Sequence, residues 1–197
     1  FADWCAREAS CSLGQDRDAV LTRIDAFLKN LDANPVVMGE WKLTQSVATL
    51  GLGAALYGAE STYPRVATAL QHAMDGDGAE LIAYFGIMVG HDGKGWTTRT
   101  YAFPAIACVD RPDRGMGAAD KQVSDKAAEA PVFAANLGAL PMCEYWTADS
   151  GPNLTLTAKG AGPILVIGST VDPVTPHDNS VAMAKQLEHA TLLTWEG

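Results

Sequence analysis

The chain lacks several features that would each assign it a class. No apolar run is long enough to span a bilayer; the longest candidate, "VATLGLGAALYGA" (47–59), is too short and too rich in Gly and Ala, so no transmembrane segment is expected. No Cys-x-x-Cys pair occurs and the four histidines are scattered, which excludes zinc-site spacing, and no metal or cofactor is expected. "HDGKGW" (91–96) lacks the G-x4-G-K-[ST] spacing of a phosphate-binding loop. No G-x-S-x-G nucleophile elbow is present. Positive charge is scarce: 14 Lys and Arg stand against 23 Asp and Glu, a net charge of -9. An acidic surface repels phosphate backbones, so no nucleic-acid partner is expected, while a cationic ligand such as a free amine is favoured. A signal-peptide pattern is missing too, because the opening "FADWCAREASC" brings charge and cysteine at once. If the protein is exported, its leader is expected outside these residues.

What is present suits a packed protein. Apolar residues make up 48% of the 197, enough for one domain, or one domain and part of another. "DRDAVLTRIDAFLKNL" (16–31) places Val20, Leu21, Ile24, Phe27, Leu28 and Leu31 on one helical face, with Asp16 and Asp18 in its first turn. "ANPVV" breaks that helix. Further helices are expected over 43–58, 62–78, 79–90, 100–110 (around a proline) and within 119–138 (one helix or two), with "HDGKGW" as a turn or loop. "TADSGPNLTLTAKGAGP" (147–163) reads as a linker.

The pattern then changes. "PILVIG" (163–168) is short, apolar and β-branched, as a buried parallel strand requires. "HDNSVAMAKQLEHA" (177–190) reads as a helix burying Val181, Met183, Ala184 and Leu187, and "TLLTW" (191–195) as a second strand. Strand, helix and strand make a βαβ unit. Two parallel strands cannot make a sheet with both faces covered, so the rest of the sheet is expected outside the sequence. The expected division is a helical domain over 1–150 and a βαβ segment over 151–197.

Four cysteines allow two disulfides or four reduced core thiols. Cys5 and Cys11 lie close together, Cys108 and Cys143 far apart; these two pairings are favoured, and they imply an oxidising compartment.

"GSTVDPVTP" (168–176) follows the first strand. In open α/β sheets chemistry sits at the carboxyl ends of the strands, and Asp172 falls there, flanked by Pro173 and Pro176. A stiffly held carboxylate suits the acid of a Ser-His-Asp triad, which fixes a histidine tautomer and stabilises its imidazolium. A helix-capping or turn-forming acid is the competing reading.

The stretch "GPILVIGSTVDPVTPHDNSVAMAKQLEHATLLTWEG" resembles the C-terminal segment of α/β-hydrolases. It is most similar to the secreted tripeptidyl-aminopeptidase branch of the prolyl-aminopeptidase-like serine peptidases. "WCAREASCSLG" (4–14), "PAIACVDRP" (104–112) and "MCEYW" (142–146) resemble cap motifs of that branch. The resemblance implies a partial α/β-hydrolase: a mostly helical cap followed by a terminal βαβ unit of a parallel sheet. It implies Asp172 as the triad acid, disulfides Cys5–Cys11 and Cys108–Cys143, and Thr175 near the triad. A plain helix-start hydroxyl is the other reading of Thr175. The catalytic serine is expected before the cap, and the histidine after the last strand, both outside the 197 residues. The isolated chain is therefore expected to be inactive.

Within the chain, Ser169 lacks the elbow's glycines, His91 precedes Asp172 against the triad's order, His177 lies five residues after Asp172 at an expected helix start, and His72 and His189 sit inside or at the end of expected helices, where ordinary surface or core roles are the competing reading. A cap over such a site shapes the substrate pocket. An aminopeptidase holds a protonated N-terminus, for which a carboxylate is the natural partner. Glu144 is the favoured candidate, beside Cys143 and Trp146, with Asp110, Glu40 and Glu80 as alternatives; Trp41, Tyr57, Trp96 and Trp146 are candidates to line an apolar pocket or fill the core. The expected partners are a peptide with a free N-terminus and the remainder of the hydrolase core, in a secreted or cell-envelope protein. An esterase with the same triad and a non-catalytic helical binding module are the competing functions.

Overall fold

A computed structural model describes residues 1–58, 60–110, 115–130, 132–134, 141–152, 154–172 and 174–197. The chain divides into two compact units, Phe1–Gly151 and Pro152–Gly197.

The first unit opens with α1 (Ala2–Arg7), tied by the Cys5–Cys11 disulfide to the loop that follows it. α2 (Arg17–Ala33) starts where Asp16 accepts a 2.8 Å hydrogen bond from Ala19 N, satisfying one of the amides left free at a helix start. Its buried stripe is Val20, Ile24, Leu28 and Leu31, with Leu21 and Phe27 packed partly against the same core. The chain then forms a small antiparallel hairpin, β1 (Val36–Met38) and β2 (Trp41–Leu43), in which Met38 pairs with Trp41. The sequence reading missed this hairpin. "NPVV" does break the helix, but the three-residue strands on either side of Gly39 and Glu40 are too short to show a strand period.

α3 (Gln45–Ala55) is capped by Thr44, whose hydroxyl accepts from Val47 N at 3.3 Å. α4 (Tyr63–Met74), with a proline in its first turn, and α5 (Ala79–Val89) follow. Gly51, which weakens α3 as an isolated helix, serves its packing. Gly51 is buried, and a Cβ there would collide with the backbone carbonyl of Leu81 in α5. α6 (Arg99–Asp110) carries Pro104 inside it, and α7 (Met116–Lys126) follows. The expected 119–138 helix thus starts earlier and ends by Lys126; residues 131 and 135–138 of that span lie outside the described residues. The Cys108–Cys143 disulfide joins α6 to a 3-10 turn at Pro141–Tyr145. Both disulfides therefore have the favoured connectivity.

The second unit is a βαβ unit. β3 (Ile164–Ser169) runs parallel to β4 (Ala190–Trp195), in register from Ile164 with Ala190 to Ser169 with Trp195, and α8 (His177–Gln186) connects them. Gly168 lies under α8; an added Cβ would sit 2.6 Å from Ser180 Cβ, so the glycine permits the helix to approach. The half-buried residues of α8 are His177, Ser180, Val181 and Ala184, with Leu187 following. Met183 does not join them. It is 56% exposed, because it lies two residues from Val181 and so on the opposite side of a 3.6-residue helix. The strand face turned away from α8 carries Leu165, Ile167, Leu193 and Trp195, all about half exposed or more.

Gly51→Ala should be destabilising. Helix propensity alone favours alanine by about 1 kcal/mol. Overpacking against an unyielding backbone typically costs about 1–3 kcal/mol. A drop in thermal midpoint is expected; a rise would mean that α3 and α5 are less closely packed than described.

Candidate functional site

The loop after β3 is organised around one side chain. Asp172 Oδ1 accepts hydrogen bonds from Val174 N at 2.8 Å and Thr175 N at 2.9 Å. Its Oδ2 accepts from the Thr175 hydroxyl at 2.6 Å. Amides two and three residues onward are the natural partners of an Asp that starts a turn. Pro176 then ends the loop with φ -51° just ahead of α8. Pro173, the other proline expected to stiffen the loop, lies outside the described residues.

Three donors on one carboxylate favour its charged form. The Thr175 hydroxyl, then the Thr175 and Val174 amides, hold the Asp172 carboxyl below its ordinary value of 3.8. The result is a partly exposed, ionised carboxylate of fixed orientation at the carboxyl end of β3.

Neighbouring groups tie the loop to the end of β4. Thr170 N donates to Trp195 O at 3.0 Å. The Ser169 hydroxyl accepts from Val171 N at 3.2 Å and donates to Gly197 O at 3.5 Å. Ser169 thus bridges the start of the Asp loop and the chain just past β4, a role its sequence context did not disclose. His177 Nε2 lies 3.0 Å from Thr194 Oγ1, across α8 and β4. The structure therefore brings together Asp172 and Thr175, with Ser169 beside their loop.

Glu144 belongs to the other unit. It lies in the turn after Cys143, and its Oε2 accepts from Met116 N at 3.1 Å. It thereby caps the start of α7, whose own N-cap, Gly115, supplies no side chain. Glu144 is exposed, as are Glu40 and Asp110. Glu80, in the first turn of α5, lies 3.8 Å from Arg65 Nε and 4.0 Å from His72 Nδ1. Of the aromatic candidates, Tyr57 is 53% exposed and Trp146 37%, so neither fills the core. Trp41 and Trp96 pack together with ring centroids 6.0 Å apart. Among the described residues no group of three or more His, Cys, Asp or Glu is arranged to hold a metal ion.

Residues 130–197 match the family model described as TAP-like protein. The whole chain is 29% identical to Carboxylesterase B of Mycobacterium tuberculosis and 27% identical to Serine protease Hip1 of the same species. It is 26% identical to Putative hydrolase YuaR of Escherichia coli. It spans 39% of the first of these relatives and 40% of the other two. The parallel βαβ unit and the helical unit give the fold class of a partial α/β-hydrolase, mostly helical with a short parallel sheet, and the TAP-like match falls on the region that contains that sheet.

Proposed function

We propose that the chain forms the cap and acid-bearing part of a secreted serine hydrolase, an aminopeptidase that releases short peptides from N-termini. The observation that carries this reading is the Asp172 carboxylate, ionised and fixed by three hydrogen bonds at the carboxyl end of β3. The chain's share of its relatives, about two fifths, leaves room for a serine and a histidine supplied by residues outside these 197.

The chemistry follows from the triad. The histidine takes the serine proton as the serine oxygen attacks the scissile carbonyl, and returns it to the departing amine. Water then enters by the same route and releases the acid, restoring the serine. Asp172 stays ionised throughout and holds the imidazole in the tautomer that presents its basic nitrogen. Thr175 is a positioning residue: its hydroxyl occupies Oδ2 from one side and stops the carboxylate turning. Glu144 is the candidate partner for the substrate's ammonium group, held at the start of α7 by the hydrogen bond its Oε2 accepts from Met116 N.

The remainder of the hydrolase core is the expected partner of the second unit. Leu165, Ile167, Leu193 and Trp195 form one apolar face that a neighbouring layer would bury. Two disulfides support an extracytoplasmic location. Among the described residues no helix is long and apolar enough to cross a membrane. An esterase with the same triad is the second reading, favoured by the likeness to Carboxylesterase B.

The complete protein decides between them. Peptides with a free N-terminus should be hydrolysed, and the same peptides N-acetylated should be poor substrates. Equal rates on both, or a clear preference for simple esters, would establish the esterase. Asp172→Asn should lower kcat by roughly 10⁴-fold while leaving the fold intact. The 197-residue chain alone should show no hydrolysis.

Thr175→Val tests the positioning role through pH. Losing the hydroxyl removes the largest influence holding the Asp172 pKa down, so the carboxyl titrates at higher pH. The acid limb of the kcat profile should move upward, and Thr175→Ser should restore it. The sign for stability is that of a depressed carboxylate. The contribution is fully present above the ordinary value near 3.8 and is lost as pH falls through the lower folded value, so wild type should outlast Thr175→Val only above that window.

A further inference from the structure

The helical unit contains a pocket lined by residues outside the Asp172 loop. Its volume is about 410 Å³, within the range of small-molecule sites. Three elements build it. α5 supplies a floor of Ile82, Ala83 and Gly86, where the small residues leave room above the helix. β2 supplies Trp41. The third side is the loop after α5, where Gly90 adopts φ +89° and the chain reverses, so that His91 pairs with Trp96.

The walls are held in place without a ligand. The Trp41 and His91 rings meet edge to face at 5.2 Å, and His91 meets Trp96 at 5.0 Å. His91 Nδ1 accepts from Gly93 N at 3.2 Å, which leaves the proton of the neutral ring on Nε2. Asp92 Oδ1 accepts from Lys94 N at 2.9 Å and Gly95 N at 3.0 Å. These two amides also hold the Asp92 carboxyl below its ordinary value. Every side-chain hydrogen bond described for Asp92 falls on Oδ1, so Oδ2 is open to a ligand.

Charge narrows the choice of ligand. Among the described residues lining the pocket, Asp92 is the one that carries a charge as a carboxylate, and the sequence as a whole carries -9. An anion meets repulsion there, and a wholly apolar ligand would desolvate the carboxylate without pairing it. Trp41 offers an electron-rich face that attracts cations. We propose that this pocket binds a primary ammonium with an aromatic or apolar body, its charge at Asp92 Oδ2 and its body over Ala83 and Gly86 against Trp41. The inference stands apart from the hydrolase reading, since the pocket shares no residue with the Asp172 loop.

Calorimetric titration of the complete protein with phenethylammonium, phenylethanol and phenylacetate tests it. Saturable binding of phenethylammonium is expected, about fivefold weaker binding of the neutral alcohol, and none of the anion. Asp92→Asn keeps Oδ1 as acceptor for the loop amides and removes only the charge. It should lower phenethylammonium to the level of the alcohol. Ala83→Trp, at an exposed position of α5, should fill the pocket and abolish binding of both. Should that variant lose its helical circular dichroism, Ala83→Met gives the same direction with less bulk. No saturable phenethylammonium binding, equal affinity for amine and alcohol, or undiminished binding in the folded Ala83 variant would each overturn the proposal.

Discussion

The three hydrogen bonds on the Asp172 carboxylate are the constraint on which the order of the loop after β3 depends. A carboxylate on an open loop rotates freely and, as a triad acid, would lose much of its value to that freedom. Here the donors come from residues two and three positions onward, so the loop's own backbone sets the orientation. The same bonds keep the group ionised. Orientation and charge therefore share one cause. The device is local, needing only a six-residue β3, a turn and the start of α8, which is why it forms within a 46-residue unit.

The unit's packing is less self-sufficient than its loop. α8 covers one face of β3 and β4, and Gly168 lets it lie close. The opposite face presents Leu165, Ile167, Leu193 and Trp195 to solvent, four large apolar side chains side by side. A single such residue is ordinary, but a contiguous group marks a surface built to be buried. A parallel pair of strands, with unpaired edges as well as an open face, is a weak structure in isolation. The Asp loop therefore has a hydrogen-bonded carboxylate on a platform of which only one face is covered by α8.

The sequence disclosed elements in proportion to how far each depends on local pattern. The α2 stripe was legible because four buried positions recur at helical spacing over 17 residues. The β1–β2 hairpin was not, since three-residue strands carry no period. Met183 was misplaced because apolarity was read without phase; the helix turned it outward. At the site, the contact between Asp172 and Thr175 is three residues long and lies inside the stretch that the sequence pattern singles out. Glu144 was found as an acid beside Cys143, but its contact with Met116 N spans 28 residues and follows from tertiary packing. The Ser169 bridge to Gly197 spans 28 residues as well and left no trace in local sequence. The pocket beside Trp41 follows the same rule: its walls come from β2, α5 and the loop beyond, and only their folding together makes a cavity.

The two candidate sites use one physical device for different ends. In both, an aspartate at a turn gives Oδ1 to two backbone amides ahead of it in the chain. The turn is thereby stiffened and the carboxylate ionised. They differ at Oδ2. At Asp172 the Thr175 hydroxyl occupies it, leaving a carboxylate that is oriented for a single further hydrogen bond. At Asp92 no threonine follows at that spacing; the third residue onward is Gly95, which has no side chain to offer. That oxygen is left open beside aromatic rings. A hydroxyl three residues on thus separates a carboxylate fixed for one donor from a carboxylate open to a mobile charge.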